Sequence, residues 1–436
     1  MASTLADVPQ ASGRLPIVGH SLAMLRDPLT YIESLRTYGH LVRIDVGRTE
    51  LLFALSIEAL DDVLRNKAAD FGQGRFMHRA EPLIPNSMLL VDGEEHIDRR
   101  RHAQQHLRRD AFRAVTERHV NLVQQHMSSW TDRQWIDVLE ETLTIALRTV
   151  LHVTLGRQFP LVREIEFRRV FGKTLHLISR RVMIPTWADK LPLPVNRSFE
   201  RGSNYLTTFI TQEARRSLDE EQNSGIMKRI VQEYGEEKIG TAISDTIAMI
   251  MGGTETLASG ISWVLYHLGK APEIQSNVWA EIHETIGDRP PSFDDIDKMP
   301  LLAQVIRESL RLYSAPILAR TCIRETVITG VRVPAGTSVF LSPYATSRNP
   351  QFFDRPTDFL PDRWSVDEKA TRLAFIPFGA GRRKCPGEHL AMLELPLFVA
   401  AILQKWRLVL DPTVPVRPTF AVTVRPNQLR MVVRKR

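Results

Sequence analysis

Phe378-Gly379-Ala380-Gly381-Arg382-Arg383-Lys384-Cys385-Pro386-Gly387 is the stretch that decides how this chain is read. It sets one cysteine behind three basic residues and ahead of Pro-Gly. The chain has only one other cysteine, Cys322, which reads as a small buried hydrophobe. Pro386 suits the first turn of a helix, expected to run from about Gly387 to Trp406. Cys385 would then lie where unpaired backbone N–H groups and the positive end of a helix dipole gather. Both effects lower a thiol pKa and favour the thiolate. Glycines at 379, 381 and 387 let the backbone curl close to the sulfur. A lone thiolate held in this way is a poor zinc site, because zinc takes four ligands. It suits one axial bond to an iron that already has four nitrogens, as in haem.

The bulk composition is that of a globular chain, 43% hydrophobic and 25% charged over 436 residues. That length allows two or three domains, but no internal repeat or low-complexity linker forces a division, so residues 1–436 are expected to form a single domain. The net charge of +7 is mostly scattered arginine. With no zinc-finger or RNA-binding signature, it argues against nucleic acid as partner. Two cysteines cannot build a disulfide framework, which points to a reducing compartment. The first residues, MASTLADVPQASGR, lack the apolar core of a signal peptide. The late run LPLFVAAIL is too short to span a bilayer. The expectation is a cytoplasmic protein with no membrane anchor, working as a monomer.

Val42, Ile44 and Val46 alternate with Arg43 and Asp45 ahead of Gly47, which predicts a hairpin with RTELLFAL. From about Gly93 to Tyr313 the apolar spacing is mostly helical. One long helix is expected from about Lys238 to Lys270, and another over LLAQVIRESLRLY. Paired Gly252-Gly253 inside the long helix costs about 1 kcal/mol per glycine relative to alanine, so something must justify it. Short strands follow in ETVITGVRVPAGTSVFLSP, and the chain closes on a strand-like tail, FAVTVRPNQLRMVVRK. The fold class is mainly α with small β-sheets, the β-rich subregion at about 37–60 and 320–345, the helical region at about 93–313 and the cysteine loop at 378–387.

Phe378-x-x-Gly381-x-Arg383-x-Cys385-x-Gly387 resembles the haem-binding signature of the cytochrome P450 family at every fixed position. Other segments agree, in family order. Glu308-Ser309-Leu310-Arg311 is similar to the family's Glu-x-x-Arg on a helix, and FLPDRW to its Phe-x-Pro-x-Arg-Trp/Phe element. The resemblance implies that Arg363 joins Glu308 and Arg311 in a buried triad, structural rather than chemical. Gly252-Gly253-Thr254-Glu255-Thr256 is similar to the family's oxygen-activation segment. It implies that Thr256 hydrogen-bonds at the reacting oxygen, that Glu255 helps relay protons, and that small residues leave room and can let the helix bulge. His96 and Arg100 match a His-x-x-x-Arg pattern one turn apart. With Arg320 and Arg383 they would anchor the two carboxylates of haem b, and Phe378, Gly379 and Gly387 would frame the cofactor.

What the resemblance implies as activity is O2-dependent monooxygenation, inserting one oxygen atom into a C–H bond of an apolar small molecule. Electrons from NAD(P)H would arrive through separate partners, a ferredoxin or flavodoxin with its reductase. Lys384, Arg382 and arginines near Arg100, such as Arg101 and Arg108, would offer an acidic partner a basic face. By the family's layout the substrate would meet Phe76, Met77, Leu83 and Met88 in one loop, Ala248 and Gly252 on the long helix, Ile317 and Leu318 after the Glu-x-x-Arg helix, and Phe420 in the tail. These are apolar side chains with no obvious cation among them, although Arg75, His78 and Arg79 lie close to the first loop. A terpenoid of secondary metabolism is the leading substrate class, with fatty acids and macrolides or other polyketides as alternatives. A non-oxygenating haem protein (peroxide-driven enzyme, isomerase or ligand-binding sensor) is the reading from another class, and the Glu255–Thr256 pair counts against it.

Overall fold

The computed structural model describes residues 3–107, 112–157, 161–181, 186–221, 223, 225–366 and 373–436. Its axis is the helix Ile239–Lys270, which buries most of its length. Alanine, glycine and serine in this helix let neighbours come close. The Gly260 α-carbon faces Leu395 of the helix Glu388–Lys405, where an added Cβ would lie 3.1 Å from the leucine methyl. Around the second half of the axis, the helices Arg113–Met127, Val138–Leu155, Pro272–Ile286, Pro300–Leu312 and Glu388–Lys405 close one apolar core. Around its first half, Leu161–Arg181, Pro194–Asp219 and Ile226–Tyr234 close another. Each leucine, isoleucine or phenylalanine fully buried there contributes roughly 1.5–3 kcal/mol.

The expected hairpin forms from Leu41–Val46 and Thr49–Ala54, turning at Gly47 with φ +64°. It joins the later β-rich segment directly, because Leu51–Ala54 pairs in parallel with Ser338–Leu341. Two more strands complete the sheet, Leu318–Cys322 beside Ser338–Leu341 and Phe71–Gln73 at the edge. The polar side of the first strand is not solvent-facing as its alternation predicts. Asp45 is buried, since the N-terminal segment folds over it and Arg14 and Gln10 donate to its carboxylate at 2.5 and 3.0 Å. Inside the expected helical region lies one strand, Trp135–Asp137. It pairs with Arg430–Lys435, which also pairs with Trp406–Leu410. The tail is therefore three short strands, Pro418–Phe420, Val424–Pro426 and Arg430–Lys435, rather than one. Among the described residues no helix is long and apolar enough to cross a membrane.

Candidate active site

The cysteine loop is fixed by its backbone. The Cys385 N–H donates to the Phe378 carbonyl at 2.8 Å, and those of Gly379 and Lys384 donate to Ile376 and Gly381 at 3.0 and 3.1 Å. Gly381 has φ +68°, and a Cβ there would stand 1.6 Å from the carbonyl oxygen of Leu64, so only glycine fits. The helix begins at Glu388, with Gly387 as its flanking residue, which leaves Cys385 just outside the first turn. One side of Cys385 is exposed, yet burial of its sulfur pushes the thiol pKa up; the Gly387 N–H, Arg100 and Lys384 pull it down, and Glu388 adds to the rise. The expectation of a lowered thiol pKa is thus corrected. In the protein alone, desolvation outweighs the helix end and the neighbouring cations.

Next to this loop the four expected cations do converge. His96 and Arg100 come from the helix Gly93–His106, Arg320 from the strand Leu318–Cys322, and Arg383 from the cysteine loop. Burial drives the His96 pKa down to about 4, and Arg383, Arg100 and Arg320 lower it further against the opposing pull of Asp92. Arg320 is 7% exposed, and burial with Arg383 beside it lowers its pKa to about 10. Arg383 donates to the Val91 carbonyl at 2.6 Å and to the Asp92 carboxylate, and Arg100 donates to the Lys384 carbonyl. His96, Arg320 and Arg383 thus feel one carboxylate, Asp92, and Arg100 adds a further guanidinium beside them. That surplus of buried positive charge next to a cysteine fits a cofactor that brings two carboxylates and an iron.

The central helix carries the third part. Gly252 and Thr256 are exposed in the middle of an otherwise buried helix, and Met249 on the same face is partly so. The paired glycines have separate reasons. A Cβ on Gly252 would meet nothing within 4 Å, whereas one on Gly253 would lie 3.0 Å from Val150 of the neighbouring helix. The small residues could let the helix bulge, but it runs as α-helix through both glycines. Thr256 Oγ1 donates to the Gly252 carbonyl at 2.5 Å. Glu255 is buried, its Oε1 has no hydrogen-bond partner among the described residues, and burial pushes its pKa up against the opposing charge of Arg425.

Behind the cysteine loop, Glu308 accepts five hydrogen bonds. Arg311 gives two at 2.8 and 2.9 Å, Arg363 one at 3.0 Å, the Leu360 N–H one at 3.0 Å and Trp364 Nε1 one at 2.9 Å. Arg311 spends its remaining donors on the carbonyls of Ser347, Pro356 and Asp358.

The predicted substrate contacts divide among packed clusters. Leu83, Ala248 and Met77 belong to the core beside the first half of the central helix. Phe76, Ile317 and Phe420 pack with Phe340 of the large sheet, and Leu318 packs with Ile376 and Ala380. Phe76, Leu83, Met88 and Ala248 are fully buried, and Met249 rather than Ala248 shares the open face with Gly252. Arg75 and Arg79 are engaged elsewhere, by the Gly336 carbonyl and by Asp189. Arg382, Lys384 and Arg101 are exposed, while Arg108 lies outside the described residues.

Sequence reasoning missed three groups. Arg99 reads as one more charge on a solvated face, but it is buried and donates to Asp245 at 2.7 and 3.2 Å. Asp245 also accepts the Met88 N–H at 2.5 Å, tying that loop to the central helix. An aspartate inside the apolar run AISDTIAMI was the available signal. Arg425, whose charge acts on Glu255, carried none, and neither did His176, on which that charge also acts.

A cysteine in a rigid glycine loop, a cation cradle for carboxylates and an open Gly-Thr helix face together define a haem-thiolate protein. The chain belongs to the cytochrome P450 family, whose profile matches residues 9–433. It is 31% identical to pentalenene oxygenase of Streptomyces avermitilis over 97% of this chain and 96% of that one. It is 30% identical to cyclooctatin synthase of Streptomyces melanosporofaciens over 97% and 94%. It shares 30% with cyclooctat-9-en-7-ol 5-monooxygenase of the same organism over 91% and 89%. The fold is that of the cytochrome P450DA haem domain, superposing at a TM-score of 0.85 with 20% identity over 98% of this chain and 97% of that one. The protein is accordingly an O2-dependent monooxygenase with haem b as its cofactor.

Proposed function

We propose that this enzyme hydroxylates a terpenoid of secondary metabolism, with Cys385 as the residue that would hold the haem iron. The observation that carries the reading is the convergence of His96, Arg100, Arg320 and Arg383 beside the cysteine loop, where the Asp92 carboxylate only partly offsets their charge. Arg100, Arg320 and Arg383 would hold the cofactor's carboxylates by charge-assisted hydrogen bonds, with the neutral imidazole of His96 adding an N–H donor. The bound haem supplies the oxygen activation and the C–H oxidation. Thr256 presents a hydroxyl on the open helix face, where it can shift from the Gly252 carbonyl to a reacting oxygen. Burial favours the neutral form of Glu255, so its carboxyl holds a proton one residue away. Met77, Ile317, Leu318 and Phe420, each partly exposed, supply apolar surface around the site, with Leu83 and Met88 packed behind. The terpenoid assignment is supported by relatives named for pentalenene and cyclooctat-9-en-7-ol.

Electrons reach the site from NAD(P)H through a ferredoxin or flavodoxin and its reductase. Exposed Arg382 and Lys384, with Arg65 and Arg307 bordering a concave region under the cysteine loop, favour an acidic partner. In the Arg101→Glu and Arg382→Glu variants the rate of first reduction should fall and lose much of its salt dependence. Unchanged rates would remove this surface from consideration. The substrate class is tested by supplying surrogate partners and NADH with C15 and C20 terpenes, fatty acids and macrolactones. A spin-state shift and a product heavier by one oxygen are expected with a terpene. Turnover confined to fatty acids or macrolactones would refute the terpenoid assignment.

A further inference from the structure

The open face of the central helix is closed at one end. Asp245, Met249, Gly252 and Thr256 follow one another at helical spacing and lie on one face of Ile239–Lys270. Gly252 and Thr256 are exposed, Met249 is partly so, and Asp245 is buried. What covers Asp245 is the loop ahead of the helix Gly93–His106, for its carboxylate accepts the Met88 N–H at 2.5 Å. The rise of an α-helix sets this seat about 16 Å along the axis from Thr256.

The loop has little of its own to hold it there. Residues 81–92 run as successive turns, and the backbone N–H groups of Leu83, Ile84, Ser87, Leu90 and Val91 donate to carbonyls three or four residues back. Asn86 takes φ +50°, a left-handed angle that asparagine tolerates. Buried Arg99 reaches the same turn. Its Nη2 donates to the Asn86 carbonyl at 2.8 Å and to Asp245 at 2.7 Å, and its Nε donates to Asp245 at 3.2 Å. One buried ion pair thus grips the loop twice, by the Asn86 carbonyl and by the Met88 N–H. Tyr234 Oη adds a donor to Asp245 at 3.4 Å, and Glu95 accepts Arg99 Nη1 at 3.0 Å. Burial pushes the Asp245 pKa up, while Arg99, the Met88 N–H and Tyr234 pull it down. Between these polar holds, Leu83, Ile84 and Leu90 pack in one core with Ile247 and Ala248 of the central helix.

We propose that Arg99 and Asp245 are positioning residues that latch this loop as the end wall of the substrate chamber. The wall sets how long a substrate can lie along the central helix with its reacting carbon at Thr256. Neither side chain touches the reacting atoms; both act through the loop. The latch rests on the monooxygenase reading above and adds to it a limit on substrate length.

The test uses the haem-loaded full chain and two readouts. Arg99→Met combined with Asp245→Leu removes both charges and refills the space, a swap that buried ion pairs often tolerate. Asp295→Asn is the control. Asp295 is as buried as Asp245 and accepts Arg289 twice at 2.7 Å, in a segment packed on Pro272–Ile286 and Glu388–Lys405 instead. Hydrogen exchange at the Met88 N–H should quicken about tenfold or more in the double variant and stay at the wild-type rate in the control. The second readout is the Soret shift with N-butyl-, N-octyl- and N-dodecylimidazole, whose nitrogen binds haem iron while the tail fills the chamber. In wild type and control, affinity should rise from butyl to octyl and gain nothing at dodecyl. In the double variant dodecyl should bind about tenfold or more tighter than octyl, because the added methylenes find room. The latch is overturned if exchange at Met88 is unchanged, if wild type already favours dodecyl over octyl, or if the ceiling survives in the double variant. A ceiling lost equally in Asp295→Asn overturns it too, since general loosening would then explain the change. Absence of any nitrogen-ligand shift in all three proteins contradicts the haem reading itself and takes the latch with it; a normal shift with an unmoved ceiling sinks the latch alone.

Discussion

Glu308 and Arg363 stand 55 residues apart in the chain, yet Arg363 Nε donates to Glu308 Oε1 at 3.0 Å. This contact pins the segment that leads into the cysteine loop onto the helix Pro300–Leu312. Neutralising the carboxylate would leave the guanidiniums of Arg311 and Arg363 without their counter-charge. Glu308→Gln should therefore cost about 3–5 kcal/mol of stability, the usual cost of breaking a buried ion pair from one side. Urea unfolding monitored by circular dichroism gives the value. A loss below about 1 kcal/mol would show that the triad is not what holds these segments together.

The glycines separate by what surrounds them. Gly381→Ala drives a methyl into the Leu64 carbonyl at a backbone angle of +68°, so the loop must move, and haem incorporation should be lost. Gly252→Ala enters open space and should gain up to about 1 kcal/mol of helix stability, while the added methyl crowds the Thr256 face and lowers product formation. Haem content per protein and the urea midpoint report both effects. Equal behaviour of the two variants would contradict the geometry.

Thr256→Ala removes a side chain whose only hydrogen bonds among the described residues run to its own helix, at Gly252 and Gly253. Stability should change by less than about 1 kcal/mol. Product formed per NADH consumed should fall, with a rate loss near 10²-fold, the lower end of what positioned proton donors contribute. Glu255→Gln should show the same uncoupling. Product yields equal to wild type would take the helix face out of the chemistry.

Two buried histidines set an acid limit on stability. Burial depresses His267 to about 3 and His152 to about 4, below the ordinary 6.5. Between about pH 6.5 and these values the unfolded chain binds more protons than the folded one, so stability falls as pH falls through that window. His267 stacks on Phe359 at 4.1 Å and lies against Tyr313 at 5.6 Å, contacts that a phenylalanine can keep. His267→Phe should flatten the drop in urea midpoint between pH 7.5 and pH 5. A drop as steep as wild type would mean that this imidazole is not buried neutral.

What the sequence revealed depended on how local the cause was. The cysteine loop was legible because its glycines, cations and thiol lie within ten residues and each answers to a nearby constraint. The helix Ile239–Lys270 was legible to within a residue at its start, because its apolar spacing persists for nine turns. Trp135–Asp137 was hidden, since three residues show no period and the strand exists only because Arg430–Lys435 lies beside it. Arg99 looked like its charged neighbours until Asp245, 146 residues away, was placed against it. The direction of the Cys385 shift depended on how much protein surrounds the sulfur, which no local motif states. The position of Arg425 escaped for a related reason: Ser259 and Trp263 fasten the adjacent Val424 to a distant helix.

The central claim is that Cys385 is the iron ligand of a monooxygenase. The most direct measurement is the absorption spectrum of the dithionite-reduced, carbon monoxide-saturated protein, for wild type and Cys385→Ser. A red-shifted, thiolate-type Soret band in wild type that disappears in the variant is the predicted result. A histidine-type band in both proteins, or no haem band in either, would contradict the assignment of Cys385 and the function built on it.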